Sequence, residues 1–181
     1  MPSPIGHALG GIAAGWGAVP RRNVHAAIAL ATIAAAPDLD LLLGDHREWS
    51  HSVGAALIAG LVAVIWTSAF AATPLPPPLR LRRTGWRNRL RWAAAAALAW
   101  GSHVLLDWLG TDTRPPFGVM ALWPFTRGYY ESSVHLFPAV SRRYWLAEFW
   151  FYNLKALAVE VAILAPIVAL VVLWSRRWRE S

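Results

Sequence analysis

The 181-residue sequence contains no cysteine, so disulfide bonds and thiolate metal ligands are excluded. It also lacks the His-Glu-x-x-His of zinc proteases, the Gly-x-Ser-x-Gly nucleophile turn and the phosphate-binding P-loop. A covalent serine mechanism therefore has no support. Acidic residues are few, with 10 Asp and Glu against 17 Lys and Arg, and the net charge is +7 at pH 7.

The arginines are clustered, and their positions argue against a nucleic-acid partner. They lie at the ends of long apolar blocks, which is the pattern that the positive-inside rule produces in membrane proteins. We therefore expect the partner of this basic chain to be the lipid bilayer and expect no binding of nucleic acid.

Apolar residues make up 56% of the chain and lie in long uncharged blocks. A helix needs about 20 such residues to cross ~30 Å of hydrocarbon. The five blocks cover residues 5–19, 24–36, 53–72, 92–109 and 154–174. We predict an all-α, polytopic membrane helix bundle with about five transmembrane helices, forming a single integral membrane domain over residues 1–181. Residues 73–91 are predicted to be a basic, Pro- and Arg-rich cytoplasmic loop, and residues 110–145 a long outer-face loop.

The distribution of arginines predicts the orientation of these helices. With loop 73–91 in the cytoplasm, eleven arginines fall on the cytoplasmic side: 21, 22, 80, 82, 83, 87, 89, 91, 176, 177 and 179. The opposite side holds five: 47, 114, 127, 142 and 143. This bias predicts an N-terminus outside and a C-terminus in the cytoplasm.

This orientation brings most of the histidines and several aspartates to one membrane face. The candidate metal ligands are His7, Asp38, Asp40, His46, His51, His103 and Asp107. The orientation depends only on arginines and apolar runs. It does not use the histidines and aspartates, so their convergence on one face is independent support for a site. Ionisable groups within or beside membrane spans are costly and usually functional.

The spacing and type of these residues favour a metal site. His103 and Asp107 are four residues apart, so both point from one face of a helix. Asp38 and Asp40 lie where the second helix is expected to end. Imidazole and carboxylate ligands suit Zn²⁺, Mn²⁺ or Fe²⁺. The candidates outnumber the four ligands of one tetrahedral ion, so we predict one or two divalent ions with zinc as the favoured metal.

Four further polar residues allow two interpretations each. Arg47 either clamps a phosphate group or is an ordinary outer-face charge. Glu131 and His135, in loop 110–145, are either solvated or further ligands or acid–base groups. Glu160 lies inside the fifth block, where pairing with a neighbouring helix is its expected role, although it remains a candidate site residue.

Several short motifs follow one another in a characteristic order. They are His7 with Gly10–Gly11, Pro37-Asp38-Leu39-Asp40, His46-Arg47, His51-Ser52, His103-x-x-x-Asp107 and Trp123-Pro124-Phe125. This order resembles the YdjM/DUF457-type inner-membrane metal-dependent hydrolases, and the likeness runs from His7 to about Phe125. It implies a multi-pass protein of the bacterial inner membrane with metal-dependent hydrolase activity, in which the seven candidate ligands are the shared polar set. The His-x-x-x-Asp piece is also similar to the metal motif of zinc phospholipase C enzymes.

Together these observations predict an enzyme that hydrolyses a phosphoester of a lipid or lipid-linked substrate with a metal-activated water. Asp40 or Asp38 is expected to orient that water or take its proton. Arg47, with Arg114 or Arg127, is expected to bind an anionic headgroup.

Three alternatives remain open at this point. A non-catalytic metal-binding or transport protein would carry its ligands along a path through the membrane. A haem protein would use paired histidines from different helices. A regulatory membrane protein would retain a degenerate site.

Overall fold

The computed structural model describes residues 1–42, 46–72, 85–113 and 115–180, and within these ranges the chain is helical and contains no β-strand. The predicted all-α fold is confirmed. Two 3-10 segments, Ala36–Leu42 and Trp49–His51, lie between the second and third helices. The five α-helices are α1 (Pro4–Gly15), α2 (Val24–Ala35), α3 (Val53–Ala72), α4 (Trp86–Trp108) and α5 (Phe149–Glu180).

Apolar side chains cover much of the surface. Among the described residues, two helical stretches are long and apolar enough to cross a membrane, Val24–Leu42 and Phe149–Arg177, and Val53–Ala69 is a shorter apolar helix. Only 17% of the most apolar part of α5 is buried, and Leu170 and Leu173 on this helix stand exposed. Exposed apolar surface on this scale is suited to a hydrocarbon environment.

α1 packs against α2, α4 and α5. Its glycines permit this, because a Cβ atom added at Gly11 would lie 2.7 Å from the carbonyl oxygen of Leu30 on α2, a separation too short for any side chain. Faces of small residues let membrane helices approach closely. The adjoining core consists of buried apolar side chains: Trp16, Val19, Ala26, Leu30, Ala34, Ala95 and Ala99.

Arginine side chains bind the turn between α1 and α2. Arg22 donates to the carbonyl oxygen of Trp16 at 3.2 Å and to that of Ser175 on α5 at 3.0 Å. Arg91 on α4 donates to the carbonyl oxygen of Val19 at 2.9 Å. Carbonyl groups beyond the end of a helix have no partner within it, so these arginines complete the hydrogen bonding of the turn.

The prediction of a loop over residues 73–91 is wrong for its last six residues. α4 begins at Trp86, ahead of the apolar block, so residues 86–91 are helical. Arginine is a good helix former, whereas the prediction assigns the arginine-rich run to the loop. α5 likewise begins at Phe149, before the predicted residue 154. Residues 73–84 lie outside the described part of the chain.

The segment between α4 and α5 packs over one end of the bundle, where α1 and α3 begin and α4 ends (the site end). Among its described residues it has only two isolated bridges of regular pairing. The N–H of Val53 donates to the carbonyl oxygen of Ala121 at 2.9 Å, and that of Gly54 donates to Trp123 at 3.1 Å. These bonds attach the segment to the start of α3.

Candidate metal centre

Four separate elements contribute side chains to one cluster at the site end. α1 carries His7, and the 3-10 segment after α2 carries Asp38. The 3-10 turn before α3 carries His51, and the last turns of α4 carry His103 and Asp107. One ligand atom from each of His7, Asp38, His103 and Asp107 lies within 4.8 Å of the other three. This cluster can hold a metal ion.

The separations between the cluster atoms match those of ligands on one ion. Two atoms bound to a zinc ion at about 2.0–2.1 Å with a tetrahedral angle between them are roughly 3.3 Å apart. The Asp107 carboxylate lies 3.4 Å from Nε2 of His7 and 3.2 Å from Nε2 of His103. It lies 3.3 Å from Nε2 of His51. Oδ1 of Asp38 lies 3.6 Å from His51 and 3.7 Å from His103.

Burial makes this arrangement costly without a cation. The three imidazoles are 0% exposed and Asp107 is 2% exposed. Among the described residues, eight buried side-chain N and O atoms have no hydrogen-bond partner, and seven of them belong to the five cluster residues. Such atoms are normally paired, and each unpaired one costs about 1–3 kcal/mol. A divalent cation among them supplies the missing partner, so the residues fit a metal ion.

Two imidazoles of the cluster are oriented through their second nitrogen. Nδ1–H of His103 donates to the carbonyl oxygen of Ala34 at 2.7 Å, which leaves Nε2 directed at the cluster. Nδ1 of His51 lies 3.1 Å from Oδ2 of Asp40 and 3.0 Å from Oγ of Ser50. A carbonyl or carboxylate on the non-ligating nitrogen fixes the tautomer and the ring orientation of a metal ligand.

Asp40 and His46 lie beside the cluster rather than in its centre. Oδ1 of Asp40 lies 2.8 Å from Nδ1 of His46, and Oδ2 accepts a hydrogen bond from Ser50 at 2.6 Å. Both oxygens of Asp40 are thus engaged by neighbours, and its contact with His51 orients that ring. His46 forms a second candidate ligand group with Asp38 and His51.

The charge of His51 responds to its carboxylate neighbours. His51 lies in the turn before α3, outside the apolar helices. Burial alone lowers the pKa of its imidazole, but contacts with Asp38 and Asp40 outweigh burial and raise this pKa from 6.5 to about 9. In the metal-free protein His51 is therefore a cation at neutral pH, and a metal ion must displace its proton to bind Nε2.

Other predicted site residues have structural partners away from the cluster. Arg47 pairs with Asp112 at 2.9 Å and donates to the carbonyl oxygen of Pro116 at 2.8 Å, so it braces the chain before α3 against the segment after α4. Glu131 and His135 form a partly exposed ion pair at 3.7 Å and do not join the cluster. Arg114 lies outside the described residues.

Glu160 pairs with a neighbouring element, as its place in an apolar helix predicts. It is fully buried on α5 and accepts hydrogen bonds from the backbone N–H of Ser3, at 2.7 Å, and from the Ser3 hydroxyl. Ser3 in turn caps α1 by accepting a hydrogen bond from the N–H of Gly6. Glu160 therefore fixes the helix that carries His7.

Sequence reasoning missed two groups that position the ligands. The carbonyl of Ala34 belongs to the main chain and leaves no trace in a sequence. Ser50, which contacts both Asp40 and His51, directly precedes His51, and a hydroxyl beside a candidate ligand is the one signal that was present.

A family model described as YdjM inner membrane protein matches residues 1–179. The match confirms the family that the motifs indicate. It also extends past Phe125, where the predicted likeness ended, and includes residues 73–91 and most of α5. No curated protein and no solved structure gives a significant match to the chain.

Proposed function

The chain belongs to the YdjM inner membrane protein family, and from this membership and its buried His/Asp cluster we propose that it is a membrane-embedded, metal-dependent hydrolase. The proposed substrate is a phosphoester of a lipid or lipid-linked molecule. The observation that carries the proposal is the convergence of five ligand side chains from four elements, with seven buried N and O atoms that lack hydrogen-bond partners.

We further propose that the five helices form a polytopic bundle in the inner membrane, with the N-terminus outside and the C-terminus in the cytoplasm. The placement of α1, α3 and α4 supports this, because α1 and α3 begin where α4 ends. The arginines that bind the turn between α1 and α2 lie toward the opposite end. The site end then faces outward, at the depth of the lipid headgroups.

Zinc is the proposed metal, with manganese and iron as alternatives. Three imidazoles and two carboxylates form a donor set that suits all three ions, and the separations of 3.2–3.4 Å around the Asp107 carboxylate fit atoms bound at zinc distances. A bound divalent ion supplies Lewis acidity, which makes water a nucleophile near neutral pH and stabilises charge on a phosphoryl group.

Asp38 is the cluster residue best placed to act on an attacking water. Its side chain is 19% exposed, whereas those of His7 and Asp107 are 0% exposed. A carboxylate with one edge toward solvent and the other toward the ligands can orient a water and take its proton. Asp40 has its oxygens engaged by neighbours, so we assign it the role of orienting His51.

The test is phosphate release from phosphatidic acid by the protein in nanodiscs, with and without a chelator. We expect the chelator and the His103→Ala substitution each to abolish release. His25→Ala is the matched control, because His25 is exposed at the start of α2 and lies outside the cluster. Chelator-insensitive release, or full activity in His103→Ala, contradicts the proposal.

A further inference from the structure

A cavity of about 640 Å³ opens beside the metal cluster. Its wall includes His46, which is in a ligand group with Asp38 and His51. Met1 and Arg47 also line it, and the rest of the wall comes from the chain after α4 and the first turn of α5. The cavity therefore adjoins His46, beside the candidate metal centre.

Arginines dominate the charge of this cavity. Arg142 and Arg143 line it together with Arg47, and Glu148 is the one acidic residue among the described lining. Neither Arg142 nor Arg143 has an ion pair with a carboxylate in the described part of the chain. Nη2 of Arg142 instead lies 3.4 Å from Nε2 of His46. Arg142 thus lies against His46 beside the cluster, and both arginines line the cavity without an ion pair to a carboxylate among the described residues.

Aromatic and apolar side chains form another part of the lining. Trp145, Leu146, Phe149 and Tyr152 line it, and Trp145 is 68% exposed. These residues lie where α5 begins, which is the boundary depth that tryptophan and tyrosine prefer in membrane proteins. The cavity therefore offers both cationic and apolar groups to the same ligand.

From this pairing we infer that the cavity binds the phosphate group of an anionic amphiphile. Arg142 and Arg143 donate to the phosphate oxygens, which match the planar fork of a guanidinium. Trp145 and Phe149 contact the apolar chain of the same molecule. The inference rests on the proposed function only for the fate of the ligand, since binding itself requires no hydrolysis.

The experiment measures binding to the protein in phosphatidylcholine nanodiscs, by calorimetry or tryptophan fluorescence, with empty nanodiscs subtracted. The probes are dihexanoyl phosphatidic acid, neutral dihexanoylglycerol and inorganic phosphate. We expect the phosphatidic acid to bind most tightly, since it alone carries both a phosphate for the arginines and acyl chains for the apolar residues of the cavity. The double variant Arg142→Gln/Arg143→Gln weakens its binding about tenfold or more, as expected for loss of charge-assisted hydrogen bonds.

The sequence suggests Arg127 as a headgroup residue, but Arg127 does not line the cavity. Arg127→Gln is the control, because Arg127 is exposed in the same segment and its replacement also removes a positive charge. The Arg127→Gln variant should bind dihexanoyl phosphatidic acid as tightly as the unaltered protein does. Arg142 and Arg143 are also exposed, so their replacement leaves the fold intact, and an unchanged elution volume verifies this.

Three results overturn the inference. The first is unaltered binding in the double variant, and the second is an equal loss in Arg127→Gln. The third is binding of phosphate or of dihexanoylglycerol as tight as that of the phosphatidic acid. Failure of the proposed hydrolase function looks different: no phosphate is released, yet phosphatidic acid binds and still depends on Arg142 and Arg143. His103→Ala separates the two, since it removes hydrolysis and leaves this binding in place.

Discussion

The Nδ1–H group of His103 donates a hydrogen bond to the carbonyl oxygen of Ala34, 2.7 Å away. This bond joins α4 to the end of α2 and fixes which imidazole nitrogen faces the cluster. Because Nε2 is buried and has no hydrogen-bond partner, it is positioned as a ligand before any metal binds.

Replacement of His103 by alanine should therefore remove most of the metal from the purified protein. The expected loss of affinity exceeds the roughly 10–100-fold that follows from removing an outer partner of a ligand. Elemental analysis of protein purified in detergent measures it, with His25→Ala as the control. Equal metal content in the two variants would show that the cluster is not the metal site.

Asp40→Asn should have a smaller effect than Asp38→Asn on metal binding. Asp40 orients His51 and contacts His46, so its loss should weaken affinity by about 10–100-fold without abolishing binding. Asp38 contributes an unpaired oxygen to the cluster itself. Titration against a chromophoric chelator compares the two variants. Equal losses would mean that Asp40 is a ligand.

Metal affinity should rise with pH across the neutral range. The pKa of His51 is raised to about 9, so its proton stabilises the metal-free fold fully below pH 6.5, and this contribution disappears as pH rises through 9. Each metal bound displaces that proton, which gives roughly tenfold higher affinity per pH unit below 9. Calorimetry in buffers of different ionisation enthalpy detects the released proton. Affinity that is constant between pH 6.5 and 9 would contradict this.

Gly11→Ala should destabilise the bundle, because the new methyl group meets the Leu30 carbonyl at 2.7 Å. Overpacking of this kind costs about 1–3 kcal/mol. Thermal unfolding in detergent should show a lower midpoint. Gly17→Ala is the matched control, since a Cβ atom there meets nothing within 4 Å. A midpoint that falls equally in both variants would exclude close packing as the cause.

Glu160→Ala should both lower stability and weaken metal binding, whereas Glu160→Gln should preserve both. Alanine leaves the N–H and hydroxyl of Ser3 without their partner, at a cost of about 1–3 kcal/mol, and loosens the start of the helix that carries His7. Glutamine retains an oxygen for the Ser3 N–H, and its amide can donate to the hydroxyl. Unfolding midpoints and metal titrations of both variants check this. Unchanged metal affinity in Glu160→Ala would show that Glu160 does not support the metal site.

The sequence predicts much of the helical fold because long apolar runs leave few alternatives in a membrane. The sequence prediction fails where a helix includes residues that are not apolar. At Trp86, α4 begins in a run rich in arginine. The family follows from the order of short polar motifs, which the match over residues 1–179 confirms.

The sequence does not predict the different roles of Asp38 and Asp40. Both follow Pro37, and as carboxylates they are chemically equivalent candidates. In a 3-10 segment, with about three residues per turn, residues two apart face different directions. Only the fold shows that Asp38 points to the cluster and that Asp40 turns to His46 and Ser50. The position of Arg142 in a long irregular segment was equally unpredictable.

The arginines that bind the turn between α1 and α2 connect the packing of these helices with the proposed orientation of the chain in the membrane. Arg22 and Arg91 complete the hydrogen bonding of that turn only while both remain at its end of the bundle. In the proposed orientation, those same charges resist translocation across the bilayer. A chain inserted upside down would have to carry both guanidinium groups through hydrocarbon before its first two helices could close. In the proposed orientation, correct insertion is therefore a precondition for closing the turn between α1 and α2.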